Sequence, residues 1–344
     1  MSASIKPYPF LFLHNPFTLV WGSEDWVVSA VPQKESVVAN GELQGKNLNE
    51  LVEMYGETLL GKKVVEMYGN RFPLLVKFID ARDDLSIQVH PDNELAMARH
   101  GSLGKTEMWF VMDAEPGAHL YSGFNQPISK YEYQKRVEDG TICEVLQRHD
   151  VKRGDVFFIP AGRIHAICGG IRLAEIQQSC DITYRIFDYN RPGLDGRPRQ
   201  LHTAEAVDAI DYRTYPTYRT DYLQKVNEDV AITQCPYFTV KIYNITKPFH
   251  RKLFKYDSFI IYTCLHGECT IKIRKATKAL PDVMSSGWLL GKGANEGQYE
   301  VRLTEGQSCL VPAVIADIDL VPNNDSGLTE LLEVFIDNKH FNCR

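Results

Sequence analysis

The stretch LSIQVHPDNELA, residues 85–96, decides how the chain is read. In an extended strand successive side chains alternate between faces, so Leu85, Ile87 and Val89 share one side while Ser86, Gln88 and His90 share the other. Such a strand is either half-solvated or lines a barrel whose interior is polar. Pro91 and Asp92 end it and are placed to start a short helix. Upstream, PLLVKFIDARDD (73–84) places an apolar, buried strand over residues 74–79 and a polar turn before the stretch. Earlier still, NLNELVEMYGETLLG (47–61) sets Leu48, Leu51, Val52, Tyr55 and Leu59 at helical spacing, which predicts one amphipathic helix ending near Gly61.

Downstream, Ser129 with Glu132 and Thr141 with Glu144 form two successive capping-box patterns, predicting two short helices between residues 129 and 148. GDVFFIP (154–160), HAICGGIRLAEIQQ (165–178) and ITYRIFDY (182–189) return to strand chemistry. An internal repeat also appears. GDVFFIPA (154–161) and GQSCLVPA (306–313) share Gly-x5-Pro-Ala, and Gly117 and Gly267 precede these glycines by 37 and 39 residues. Two landmarks at similar separation predict a duplicated fold whose copies differ in chemistry. Eleven residues after the second landmark stand His165 in one copy and Asp317 in the other; ten before the first stand Glu107 and Asp257. A boundary is expected near residue 235, giving a metal-binding domain over 1–235 and a C-terminal barrel over 236–344.

The bulk numbers agree with this division. A chain of 344 residues is long for one core and suggests two units. Net charge of -6 argues against a general nucleic-acid binder but leaves small anionic substrates open, since local basic groups can outweigh a weak field. Eight cysteines without a C-x-x-C pair predict free thiols and a cytoplasmic location. The opening residues MSASIKPYPFLFLHNPF lack the apolar core of a signal peptide. No run of about 18 apolar residues occurs, so no membrane span is expected.

Four residues then stand together as candidates: Gln88, His90, Glu107 in GKTEMWF (104–110) and His165 in PAGRIHA (160–166). Two imidazoles and a carboxylate form an N/O set suited to zinc with a coordination position left open. Gln88 is a weaker donor and stands either among the ligands or behind them. A histidine taken singly is as well explained by surface or a hydrogen-bonded core, and that reading applies to His14, His100, His119, His149, His202, His250, His266 and His340.

LSIQVHPDN, GKTEMWF, GDVFFIPAGRIHA and EIQQSCDITYRIFDYNR together resemble type I mannose-6-phosphate isomerases in their shorter bacterial form. The motifs span residues 85–191, with weaker similarity from Trp21 and through the C-terminal barrel. The resemblance implies a mainly β protein of two cupin-type (jelly-roll) barrels with a few short helices, the second barrel degenerate. It implies one zinc ion per chain on Gln88, His90, Glu107 and His165. It also implies interconversion of mannose 6-phosphate and fructose 6-phosphate through a cis-enediolate, with a small phosphorylated sugar as partner and neither nucleic acid nor membrane.

Candidates for proton handling are Lys105, Glu175 and Asp181. Arg185 matches the arginine the family treats as catalytic and is assigned electrostatic work, because a guanidinium does not readily accept a proton. Each has a structural alternative: Lys105 in an ion pair, Glu175 and Arg185 in a salt bridge, Asp181 capping a turn. Ser86 is placed to reach a substrate oxygen, and Trp21 either walls the site or belongs to the core. Long members of the family follow the matching arginine with Gly-Leu-Thr-Pro-Lys, whereas this chain reads IFDYNRPGLDGRPRQLH (186–202). Arg191, Arg197 and Arg199 are therefore candidates for the phosphate contact, with a solvated basic loop as the competing view. The long form's inserted helical domain has only residues 125–150 to correspond to it. Another metal-dependent cupin enzyme, a sugar isomerase or dioxygenase, and a non-catalytic sugar-binding bicupin are the alternatives. Oligomeric state is not legible in the residues.

Overall fold

The computed structural model describes residues 7–276, 300–323 and 327–337. His340, Cys343 and the first six residues lie outside the described residues. The chain forms two compact units: Asn15–Trp26 with Leu74–Asp221, and the N-terminal segment to His14 with Val27–Pro73 and the chain from Tyr222 onward.

The first unit is built from two antiparallel sheets. One runs Pro16–Leu19, Gly22–Val28, Leu74–Ala81, Ile171–Gln178, Glu107–Ala114, Val156–Ile159; the other runs Tyr184–Phe187, Ile87–Val89, His165–Ile167, His119–Phe124, Leu146–Asp150. Strand alternation sorts the side chains of the second sheet between two layers. Ile87, Val89, Ala166, Tyr184 and Ile186 face outward and pack with Tyr133 and Ala206 of the helices Lys130–Glu138 and Thr203–Ala209. Leu120 and Ile167 face the other sheet and join Ile79, Trp109, Val111 and Leu173 in the apolar part of the interior. The polar face of the opening stretch thus turns inward.

Leu85 departs from the expected alternation. It packs in the interior cluster with Trp109 and Ile167, not outside with Ile87 and Val89, because regular pairing of that strand begins only at Ile87. The expected single helix over residues 48–61 is also divided. Asn47 and Glu50 cap Leu48–Tyr55 reciprocally, but Gly56 at φ +45° interrupts it, and Glu57–Leu60 and Lys62–Tyr68 follow as separate short helices. Gly61, at φ +95°, is required there: a Cβ would lie 2.5 Å from the Asp257 carbonyl oxygen. Ser129 caps its helix through the Glu132 amide, whereas Thr141 makes no side-chain cap and only a 3-10 turn, Ile142–Val145, follows.

The second unit repeats the strand order of the first. Its larger sheet runs Phe10–Leu11, Ser308–Val311, Ile260–His266, Thr329–Phe335, Thr239–Ile245, Asp229–Gln234; its smaller runs Phe249–Lys252, Ile315–Pro322, Glu268–Ala276, Glu300–Thr304. Ile260–His266 and Ile315–Pro322 hold the places that Glu107–Ala114 and His165–Ile167 hold in the first unit. Gly117 and Gly267 both sit between successive strands with positive φ, as the repeat predicts. Asp257 has a different task from Glu107: its carboxylate accepts from the Lys62 and Lys63 amides. The described cysteines are free thiols, and no helix among the described residues is long and apolar enough to cross a membrane.

Candidate active site

Antiparallel register brings the sequence candidates together. His165 sits opposite Gln88 on one side and Ser122 on the other, while Glu107 sits between Gln177 and Ile159 in the facing sheet. His90, Glu107 and His165 are all buried, and their ligand atoms lie within 4.8 Å of one another. His165 Nε2 is 3.1 Å and His90 Nε2 is 3.5 Å from Glu107 Oε1. Adjacent donors of a tetrahedron with bonds of about 2.1 Å would be about 3.4 Å apart, so the spacing fits a metal ion.

The hydrogen bonds fix which ring nitrogens face inward. His90 Nδ1 lies 3.0 Å from the Ile182 carbonyl and His165 Nδ1 lies 2.7 Å from the Arg163 carbonyl. A carbonyl only accepts, so each Nδ1 donates and each ring turns its Nε2 to the centre. The two Nε2 atoms and the carboxylate then converge. His90 Nε2 and both Glu107 oxygens are buried and make no hydrogen bond. A set of donors packed in this way suits a metal ion.

Gln88 Nε2 lies 3.3 Å from His165 Nε2, and a half-turn of the amide would put Oε1 in its place. Lys105, also buried, holds its Nζ 3.6 Å from Glu107 Oε2. Burial raises the Glu107 carboxyl, but Lys105 and His90 outweigh it and leave the group ionised well below its ordinary range.

A second charged layer, of which the sequence singles out only Glu175, stands beside this centre. Lys77 Nζ lies 3.3 Å from Glu175 Oε1, 3.7 Å from Glu24 Oε2 and 4.6 Å from the Trp26 ring. Glu175 Oε2 accepts from Trp109 Nε1 at 2.8 Å, and the Trp109 ring meets His165 edge-on at 5.2 Å. Burial and then Glu107 raise the Glu175 carboxyl, opposed by Lys77. Burial opposes the charge on Lys77, but Glu24 and Glu175 outweigh it and keep it an ammonium. A lysine inside LLVKFI (74–79) was the available signal, since a charge on a buried strand needs a partner. Ser122 Oγ and Gln177 Oε1, also missed, are buried beside His165 and Glu107 without a hydrogen-bond partner.

Arg185 pairs in register with Gln88; its Nη1 donates to the Gln200 carbonyl at 2.9 Å, while its buried Nε makes no hydrogen bond. Arg191 and Arg199 both bind Asp188, whereas Arg197 is exposed and does not join them. Ser86 is buried, Asp181 is exposed, and Trp21 packs in the apolar interior with Ile79 and Trp109.

One pH dependence follows. Burial, and next the Lys105 charge, push the His90 imidazole down to about 3. Its unfolded counterpart protonates near 6.5, so the unfolded chain binds the proton first and stability falls as pH drops below about 6.5. The slope from this group is up to about 1.4 kcal/mol per pH unit, continuing to about pH 3. Below about 4.5 the depressed Glu107 carboxyl adds a loss of the same sign. Urea midpoints of chelator-treated protein between pH 7.5 and 5 should fall accordingly, and less steeply in His90→Gln. Equal slopes in the two proteins would contradict the assignment.

Residues 21–110 match the family model described as phosphomannose isomerase type I, catalytic domain. The chain is 37% identical over 248 residues to the mannose-6-phosphate isomerase ManA of Bacillus subtilis (strain 168), covering 71% of this chain and 76% of that one. It is 39% identical over 228 residues to the mannose-6-phosphate isomerase of Streptococcus mutans, covering 65% and 69% respectively. The crystal structure of the mannose 6-phosphate isomerase from Bacillus subtilis superposes with a TM-score of 0.79 at 28% identity, covering 95% of this chain and 99% of that one. With that breadth of sequence match on a paired-barrel fold and a buried His-Glu-His centre, the chain belongs to the type I mannose-6-phosphate isomerase family.

Proposed function

We propose that this protein is a zinc-dependent aldose-ketose isomerase that interconverts mannose 6-phosphate and fructose 6-phosphate through a cis-enediolate. One observation carries the reading: Nε2 of His90 and of His165 converge with an ionised Glu107, all three side chains buried. His90, Glu107 and His165 would hold the zinc ion, with Gln88 joining through Oε1. Bound there, zinc would supply Lewis-acid polarisation of the sugar carbonyl.

The protein's own groups divide the remaining work. Isomerisation moves a proton between C1 and C2, which needs a base beside carbon and cations beside the developing oxyanion. Arg185 is permanently charged and supplies the cation. Lys105 is tethered to Glu107 and retains N–H groups for the ring-opening proton transfer. Asp181, exposed near the end of the Ile171–Gln178 strand, is the carboxylate with access to a C1 or C2 proton. Glu175 is committed to Lys77 and Trp109 and positions the His165 ring. Ser86 offers a hydroxyl to the sugar, and Trp21 supports the floor from the apolar side. Arg191 and Arg199 take the phosphate, with Arg197 adding charge at longer range. Catalysis belongs to the first barrel, where, among the described residues, His90, Glu107 and His165 form the group placed to hold a metal ion.

Protein stripped with a chelator should lose conversion of mannose 6-phosphate to fructose 6-phosphate and regain it when one equivalent of zinc is returned. Activity indifferent to metal would overturn the mechanism. Restoration by iron alone, with oxygen uptake, would move the protein to another class of cupin enzyme.

A further inference from the structure

The arginine loop after the last strand of the first unit is tied together by one acidic side chain. Asp188 is 5% exposed. Its Oδ1 accepts from Arg191 Nε at 3.1 Å, from Arg191 Nη2 at 2.9 Å and from Arg199 Nη2; its Oδ2 accepts from Arg199 Nε at 2.7 Å. Arg185 also lies within the field of Asp188, Arg199 and Arg191.

The backbone is bent to produce this arrangement. Tyr189 and Asn190 are both left-handed, at φ +56° and +54°. That conformation is uncommon for a tyrosine and is kept only where the surroundings enforce it. The bend returns the Arg191 amide to the Asp188 carbonyl at 3.2 Å and sets its guanidinium 5.6 Å from the Tyr189 ring centroid. A small hairpin then closes through the Pro192 and Pro198 bridge and a 2.6 Å bond from the Gly193 amide to the Arg197 carbonyl, delivering Arg199 to the same carboxylate.

We propose that Asp188 is a positioning residue that holds Arg191 and Arg199 side by side, next to Arg185, as a preformed site for a phosphate dianion. This rests on the loop being the phosphate contact. Three guanidiniums without a central anion would repel and splay. With Asp188 they sum to a charge of about +2, lowered in part by the exposed Asp83 beside Arg191, and opposite in sign to a phosphate monoester near pH 7. Each arginine spends two N–H groups on Asp188, and Arg191 also holds its Nη1 3.5 Å from the exposed Asp83 carboxylate; each keeps others for the ligand, so Asp188 orders the forks without exhausting them.

The test compares Asp188→Asn, Arg191→Ala, Arg199→Ala and the Asp188→Asn/Arg199→Ala double variant in metal-loaded protein. KM and kcat for mannose 6-phosphate are measured with the competitive inhibition constant of inorganic phosphate. Each arginine variant should raise KM and weaken phosphate inhibition by roughly tenfold or more. Asp188→Asn should do the same with little change in kcat, and the double variant should be much less impaired than the product of the singles, since Asp188 acts through Arg199.

Arginine variants with unchanged KM and phosphate inhibition would overturn the phosphate reading itself. Arginine variants that weaken both, beside an Asp188→Asn protein that binds phosphate as well as or better than wild type, would overturn only the positioning role. A lowered melting temperature and kcat with KM unchanged would reduce Asp188 to a structural group. If Asp188→Asn does not accumulate as folded protein, Asp188→Glu, which displaces both forks by one methylene, must show the same KM-selective loss.

Discussion

Replacing His165 with alanine is expected to cost at least about a thousandfold in isomerase turnover, together with the bound metal. His165 is the side chain on which the rest of the centre is assembled. It sits opposite Gln88 in register, 3.1 Å from Glu107 Oε1, with its Nδ1 fixed by the Arg163 carbonyl and its ring edge-on to Trp109. Truncation removes one of the two imidazole donors and leaves Glu107 with His90 as the remaining imidazole donor to a small cation. Lewis-acid stabilisation supplies several kcal/mol to a reaction of this type, and about 4 kcal/mol corresponds to the thousandfold stated. Metal content after dialysis and kcat at saturating mannose 6-phosphate would check it. The near-ultraviolet circular dichroism should be retained, because the strand Ile87–Val89 and its outer packing on the helices do not depend on the imidazole. His266→Ala, at an exposed ring paired with Glu305, should retain both metal and turnover. A His165→Ala protein that keeps stoichiometric metal and turns over within tenfold of wild type would refute the assignment.

The candidate centre was legible because its signals are local. Gln88 lies on the strand Ile87–Val89 and His90 directly follows it, while Glu107 and His165 each begin a strand, so period-two alternation and strand boundaries aim all four. The duplicated barrel was legible from glycines, because Gly117 and Gly267 occupy positive-φ turns that few other residues tolerate. What failed to show depends on register between distant strands. The Lys77–Glu175–Trp109 chain exists because Glu175 pairs with Lys77 on one side and Trp109 on the other, across separations that no local pattern encodes. Leu85 was misplaced because alternation was extended two residues beyond the paired strand. Arg197 stands with Arg191 and Arg199 in the sequence, but only the fold shows that the hairpin returns Arg199 to Asp188 and leaves Arg197 at its exposed end.

Replacing Glu333 with alanine in the second barrel is expected to destabilise the protein by about 3–5 kcal/mol, and removing its partner as well should recover most of that loss. Glu333 is fully buried, on the strand Thr329–Phe335, which holds the place that the strand of Glu175 holds in the first barrel. It lies on the face of Leu331 and Phe335, within that unit's apolar core. Arg251, on the strand corresponding to that of Gln88, donates to it from Nε at 2.9 Å and Nη2 at 2.6 Å, and Tyr262 donates its hydroxyl at 2.6 Å. Where the first barrel gathers two imidazoles beside a carboxylate in a set that suits a metal ion, the second supplies a guanidinium of its own. Burial disfavours the charge on Arg251, but Glu333 overcomes this and holds the guanidinium ionised. Alanine at 333 would leave that charge buried at 6% exposure with its bidentate partner gone, and Tyr262 without its acceptor. The Arg251→Met/Glu333→Leu double variant removes both charges and fills the space with apolar atoms, so its cost should be well below that of Glu333→Ala. Urea midpoints at constant m-value measure both. A Glu333→Ala loss under about 1 kcal/mol, or a double variant as unstable as the sum of its single changes, would show that the pair does not neutralise the barrel as its geometry implies.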